Sequence, residues 1–259
     1  MKHIAEKIIN RSRKELIKEF LYLFPANRPR KILFDHLPKC GGSSLNVYLS
    51  LHYPRKKTFS IDGWAPAESI DKFKNLSQNK RHGYDLVKGH FAHELLDYVH
   101  PDCFKVTVLR EPVDRIISHY FYAKRTPGHY LYPKIVERGM SLEEYATSGL
   151  SGELRNWYTT HFSGLALSDA EKYPEESVTK AIEVLLARYD IIGLLNNFAS
   201  FVETLQRKAK LRYEYKDGKD NVTKDRLSLY DVSPSTLEKI EKINHLDIAF
   251  YKRIISLIG

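Results

Sequence analysis

Apolar residues in this chain recur at two spacings, and the switches between them mark out its elements. Residues 3–24 carry Ile4, Ile8, Leu16, Phe20 and Leu23 at helical intervals among lysines and arginines. That pattern predicts an amphipathic helix, ended by Pro25 and Pro29. Ile32-Leu33-Phe34 is a short apolar strand. The tight loop Pro38–Ser44 follows, then a helix to about Tyr53 that places Leu45, Tyr48, Leu49 and Leu51 at roughly helical spacing. Residues 54–82 are polar and irregular apart from a short helix at Pro66–Leu76. Tyr84–His90 predicts a second strand and Phe91–Val99 a short helix. Phe104–Arg110 is apolar and β-branched, as expected of a buried parallel strand, and a helix over Val113–Lys124 succeeds it. Residues 125–180 are aromatic and polar, with a helix at Ser141–Thr147. Ser177–Ala187 predicts a helix, Tyr189–Leu194 another buried strand, and Phe198–Lys208 a further helix. Residues 212–229 read as a basic loop, and Ser235–Ile258 as a helix pair or one long helix. This alternation predicts an α/β fold, a mostly parallel central sheet flanked by helices. We expect one domain over residues 1–259, its leading helix in 1–29 and its core in 30–259.

Composition narrows the class. At 259 residues the chain can build one large core. The formal net charge of +9 favours an anionic partner: a nucleotide, an acidic glycan or a membrane surface. No interleaved aromatic and basic signature of nucleic-acid binding is present. Two cysteines, Cys40 and Cys103, exclude a disulfide framework and suit a reducing compartment, although a single bridge between them is conceivable. No run approaches the length of a membrane span, and the charged N-terminus lacks a signal-peptide core, so a cytoplasmic location is expected. The leading helix is expected to pack on the domain, with peripheral contact to a membrane surface as the alternative. Nothing in the sequence speaks to oligomeric state.

The chemistry concentrates in Lys31–Leu51. Strand, glycine-bearing loop and helix start make a cradle for a phosphate, because glycines let backbone N–H groups approach an anion and the helix N-terminus adds partial positive charge. Lys39 adds a full charge. The lysine precedes Gly41 and Gly42, so the loop is not the G-x-x-x-x-G-K-[ST] of nucleotide kinases.

His36-Leu37-Pro38-Lys39-Cys40-Gly41-Gly42-Ser43-Ser44-Leu45 resembles the H-I-P-K-T-G-G-T-S-L signature of sulfotransferases related to heparan sulfate 2-O-sulfotransferase. Val108–Tyr120 (VLREPVDRIISHY) resembles the L-R-D-P-V-E-R-x-x-S-x-Y segment of the same family. The resemblance implies a sulfotransferase version of the P-loop NTPase fold and a donor, 3′-phosphoadenosine 5′-phosphosulfate (PAPS), that leaves as adenosine 3′,5′-bisphosphate. It implies that Lys39, Cys40, Gly41, Gly42, Ser43 and Ser44 grip the 5′-phosphosulfate, with Lys39 stabilising the leaving group. Cys40 stands where the family usually has threonine. Arg110 and Ser118 would hold the 3′-phosphate, and Arg115 would make a structural salt bridge. Thr223, Lys224 and Arg226, in the late basic loop, are weaker donor-binding candidates.

Histidine titrates near neutrality and suits the deprotonation of an acceptor. His90, in Lys88-Gly89-His90, resembles the second histidine of the family's H-G-H motif, with Lys88 replacing the first. Glu94 is the alternative base. His36 could orient the loop or touch substrate, and Asn156, Trp157 and His161 are candidates for the acceptor side. His90 and His93 with His36 and Cys40 also suggest a zinc set, but sulfuryl transfer requires no metal and none is expected. The acceptor is expected to be a glycan or a small molecule. A phosphoryl transferase and a non-catalytic binder of an acidic glycan or nucleotide are the competing readings.

Overall fold

The structure is a computed structural model and describes residues 14–24, 26, 28–216 and 231–258. Residues 14–22 are helical (α1). The chain then runs through β1 (Ile32–Asp35), α2 (Gly42–Ser50), β2 (Thr58–Ser60), α3 (Pro66–Lys74), α4 (Gln78–His82), β3 (Leu86–Gly89) and β4 (Phe104–Leu109). It continues with α5 (Pro112–Arg125), α6 (Tyr132–Val136), α7 (Leu142–Thr147), α8 (Trp157–Ser163), α9 (Leu167–Lys172) and α10 (Pro174–Arg188). After β5 (Ile191–Leu194) come α11 (Phe198–Ala209), α12 (Pro234–Ile243) and α13 (His245–Ile258).

Two compact units form. The first takes the described residues of Met1–Leu37, Gly41–Val108 and Tyr189–Asn221; the second takes those of Pro38–Cys40, Leu109–Arg188 and Val222–Gly259. The first holds a five-stranded sheet in the order β2-β3-β1-β4-β5. β1 pairs in parallel with β3 and β4, Phe34 lying opposite Lys88 and Val106, and β2 pairs in parallel with β3. Ile32, Leu33, Phe34, Leu86, Val87 and Val106 are all buried, so these strands read as apolar runs and not as alternating ones. β1 and β4 are neighbours whose onward connections lead to opposite halves of the sheet. Ligands of open α/β sheets bind beyond the carboxyl ends of such strands. In the second unit, Ile116, Ile117 and Tyr120 of α5 enter a core with Leu131, Tyr145 and Ile240.

Two expectations change and one alternative is decided. β2 lies in the stretch read as irregular, because three residues are too few to show a period. The helix expected over Phe91–Val99 is a single 3₁₀ turn, Ala92–Leu95. The C-terminal segment is two helices, divided at Asn244. That side chain is fully buried, donating to Leu154 O (3.1 Å) and accepting from Asn156 N–H (3.0 Å). Ser235–Ile258 is therefore a helix pair because a tertiary partner claims the residue between them. α1 also differs from expectation: Leu16, Phe20 and Leu23 face outward. Ile4 and Ile8 lie outside the described residues. No helix among the described residues is long and apolar enough to cross a membrane.

Candidate active site

In the first unit, the turn after β1 delivers the start of α2. Gly41 is the N-cap with φ 77°, a left-handed conformation that suits glycine, and a Cβ there would come 2.5 Å from Leu195 Cδ1. No side chain caps α2 and no acidic residue occupies its first turn. Ser43 and Ser44 are the second and third residues of the helix, not its caps. The helix thus presents uncapped amides with positive dipole charge, the usual feature of an anion site.

A histidine pair is built beside this helix start. A Cβ on Gly42 would overlap the His36 ring, so the glycine makes room for the imidazole. Asn46 Nδ2 donates to His36 Nδ1 (3.1 Å), which leaves the proton of neutral His36 on Nε2. The His36 ring stacks with both Phe34 and His90, with centroids 5.5 and 4.2 Å apart. His36 N–H also donates to Gly89 O, which ties β1 to the turn carrying His90. His90 is half-buried, and its buried Nδ1 has no hydrogen-bond partner among the described residues. The next residue, Phe91, adopts φ 62°, a strained value for a bulky side chain. Lys88 turns inward and donates to Ser50 Oγ (2.7 Å) and Asn46 O (3.2 Å), and burial pulls its pKa below the usual lysine value.

The other first-unit candidates have different partners. Glu94 accepts from Lys74 Nζ of α3 at 3.0 Å. His93 turns to Asp35, a fully buried carboxylate at the end of β1: Oδ1 accepts the His93 amide (3.2 Å) and Oδ2 accepts the Tyr189 hydroxyl (2.7 Å). The suggested zinc set is accordingly split, with His36 and His90 stacked on each other and His93 against a carboxylate.

In the second unit, Lys39 and Arg110 are joined. Lys39 adopts φ 65°, and its carbonyl accepts a hydrogen bond from Arg110 Nη1 at 2.8 Å. The Lys39 ammonium lies 3.8 Å from the centroid of the Tyr122 ring, a cation–π contact. Arg110 follows β4 directly and is 8% exposed; its Nε donates to Asp114 Oδ2 at 2.6 Å. Glu111 does not share that role. It caps α5, accepting from the amides of Val113 (3.1 Å) and Asp114 (2.6 Å). Nη2 of Arg110 has no hydrogen-bond partner among the described residues. Burial pulls the pKa of Arg110 down, but a guanidinium stays charged. Ser118 lies two turns along α5 and is mostly buried.

Tyr158 holds this corner together. Its hydroxyl accepts from Arg110 N–H (3.1 Å), donates to Arg110 O (3.0 Å) and meets Cys40 Sγ at 3.1 Å. Cys40 is buried with its thiol pKa raised by desolvation, so the loop can offer its backbone but not its sulfur. Asp247, fully buried on α13, accepts from the amides of Tyr158 and Thr159, both at 2.9 Å, and so caps α8 and places the tyrosine. Both cysteines are free.

Several expectations are corrected here. Arg115 makes no salt bridge among the described residues. It is fully buried, stacked against Trp157 (4.9 Å) and Tyr158 (5.0 Å), and donates to Glu153 O (2.6 Å). Asn156 does not line a substrate surface. It is fully buried, its Nδ2 donating to Glu171 Oε1 and its Oδ1 accepting the amide of Leu246. Trp157 is half-buried, with Arg115 on its ring and His161 packed beside it at 4.7 Å. Thr223, Lys224 and Arg226 lie outside the described residues. Tyr158, Tyr122 and Asn46 carry no signal in the sequence, because each acts on a residue ten or more positions away and no spacing marks it.

A sequence model of the sulfotransferase family matches residues 24–252. No curated protein sequence matches the chain. The crystal structure of a sulfotransferase from Alicyclobacillus acidocaldarius is similar at 16% identity and a TM-score of 0.44, over 88% of this chain and 96% of that one. With the family model spanning all but the two ends, the chain belongs to the sulfotransferase family, whose members transfer a sulfuryl group.

Proposed function

We propose that this sulfotransferase draws its sulfuryl group from PAPS and delivers it to a hydroxyl or amine of an acceptor, a sugar of an acidic glycan. The hydrogen bond from Arg110 to the Lys39 carbonyl carries the reading, since it ties together the basic residues of the two phosphate motifs. The acid-free, uncapped start of α2 likewise fits the dianionic 5′-phosphosulfate of that donor. When bound, the donor supplies an activated sulfuryl group on a phosphate leaving group.

Lys39 provides the cation where negative charge develops. Backbone N–H groups of Cys40, Gly41 and Gly42, with the hydroxyls of Ser43 and Ser44, hold the 5′ end. Nη2 of Arg110 and the Ser118 hydroxyl take the 3′-phosphate, while Asp114 and Lys39 O fix the plane of the guanidinium. Thr223, Lys224 and Arg226 are assigned to the donor by sequence alone. His90 accepts the acceptor's proton and His36 orients it through their stacked rings. Glu94 is the second choice, because its carboxylate is already paired with Lys74. The net charge of +9 supports an acidic acceptor.

The test is calorimetric titration with adenosine 3′,5′-bisphosphate, beside adenosine 5′-monophosphate and ATP with magnesium. We expect the 3′-phosphate to tighten binding at least tenfold, with Arg110→Ala and Arg110→Lys both abolishing that preference. Equal binding of the two monoadenosine ligands would overturn the donor assignment. In an acceptor screen His90→Ala should lose turnover while keeping nucleotide affinity. Retained turnover there, lost instead in Glu94→Gln, would move the base to Glu94.

A further inference from the structure

α1 is docked with its polar side inward. Lys18 Nζ donates to Ser50 O (3.1 Å) and Tyr53 O (3.3 Å), Glu15 accepts the Arg55 amide, and Glu19 pairs with Lys56 at 2.9 Å. Tyr22 is buried on the same side. The opposite side is apolar and open. Leu16 (66% exposed), Phe20 (59%) and Leu23 (69%) follow at i, i+4 and i+7, flanked by Ile17 and Phe24 at i+1 and i+8. The Phe20 and Phe24 rings touch, with centroids 5.5 Å apart, so the strip is continuous.

An amphipathic helix on a water-soluble surface turns its apolar strip to the core. Here ion pairs and backbone carbonyls hold the helix the other way round, and the exposed strip calls for an occupant. Charge identifies it. Residues 1–30 hold eight lysines and arginines against three glutamates, a net of +5 within the chain's +9. Glu15 and Glu19 are both engaged by cations, whereas Lys14, Arg28 and Arg30 are exposed, Arg28 beside Tyr22 and Arg30 over the Phe104 ring. An apolar face on a segment of net positive charge matches the acyl boundary and headgroups of an anionic bilayer. A second copy would bring the same positive charge to the contact. The strip also offers on the order of 600 Å², taking ~200 Å² for each large side chain weighted by exposure, short of the ~800 Å² each partner gives in a standard interface.

We propose that the outward face of α1 and of the turn after it, through Leu16, Ile17, Phe20, Leu23 and Phe24, seats the protein on anionic membrane surfaces. The reading stands independently of the donor and acceptor assigned above. The test is sedimentation of the full chain with sucrose-loaded vesicles of phosphatidylcholine, with and without 30% phosphatidylglycerol, in low and high salt. The wild type should partition onto the anionic vesicles, and high salt should weaken that binding. The exposed-site double variant Phe20→Ser/Leu23→Ser, checked for an unchanged melting temperature, should bind at least tenfold less. Three results would overturn the proposal: no vesicle binding by the wild type, undiminished binding by the variant, or a wild-type dimer without lipid that the variant dissolves.

Discussion

Tyr158 and Gly42 bear most directly on the site, and neither role is catalytic. The Tyr158 hydroxyl serves both the N–H and the carbonyl of Arg110 and meets the Cys40 thiol, all in a buried corner. Tyr158→Phe strands those groups and should cost about 1–3 kcal/mol in chemical denaturation. Nucleotide binding should weaken with it, because the Arg110 backbone loses its anchor. Gly42→Ala drives a methyl group into the His36 ring. We expect about 1–3 kcal/mol of destabilisation, as for other overpacked sites, with turnover falling further than stability alone explains. Unchanged turnover in Gly42→Ala would show that the His36–His90 stack is dispensable. The two thiols give a simpler check. Burial raises the pKa of Cys40 and pushes that of Cys103 up to about 12. Neither should react with iodoacetamide at pH 8 in the native protein, and both should react once it is unfolded.

The start of α2 is the element in which stability and binding pull apart. Its first turn lacks both a side-chain cap and an acidic residue, and either would strengthen an ordinary helix. Ser43 is exposed at the second helical position. Ser43→Asp should stabilise the fold by about 0.3–1 kcal/mol, since the carboxylate complements the helix dipole. The same carboxylate should weaken binding of adenosine 3′,5′-bisphosphate by at least tenfold, through repulsion. A melting curve and a titration on one sample test both signs, and tighter nucleotide binding would exclude α2 as the anion site. α5 shows the contrasting design. Glu111 caps it and Asp114 follows in its first turn, so the helix start is already neutralised and Arg110 provides the charge.

At the scale of the molecule, acid should be destabilising over a definite range. His52 is 6% exposed, and burial lowers its pKa to about 4. Its Nδ1 accepts the Arg212 amide (3.1 Å), which requires that nitrogen to be unprotonated. The unfolded chain binds a proton near pH 6.5 and the native one only near pH 4. The contribution of His52 is therefore complete above pH 6.5 and lost as the pH falls toward 4, on the order of 3 kcal/mol in all. His129, also lowered to about 4 by burial, adds loss in the same direction. Urea midpoints measured from pH 7.5 to 4 should show this slope, and His52→Gln should flatten it. A His52→Gln profile parallel to the wild type would assign the slope elsewhere.

Much of this protein could be read before its coordinates. The apolar runs at Ile32–Phe34, Phe104–Leu109 and Tyr189–Leu194 became buried parallel strands, because a strand covered on both faces has no reason to alternate. The glycine loop was legible because a candidate phosphate cradle is a local device of backbone, dipole and one cation, and the Arg110 segment through its resemblance to a family motif. β2 was too short to carry a period. Asn156 reads in the sequence as an acceptor-side candidate and Arg115 as a salt-bridge partner, and only the packed chain shows both buried against groups far away in sequence. Tyr158 was equally hidden, since the hydroxyl that anchors Arg110 lies 48 residues from it. The helical period of residues 14–24 likewise required an apolar face but could not say which way it turns. That was decided in three dimensions, where Glu15, Lys18 and Glu19 found partners on the first unit and left Leu16, Phe20 and Leu23 to the outside.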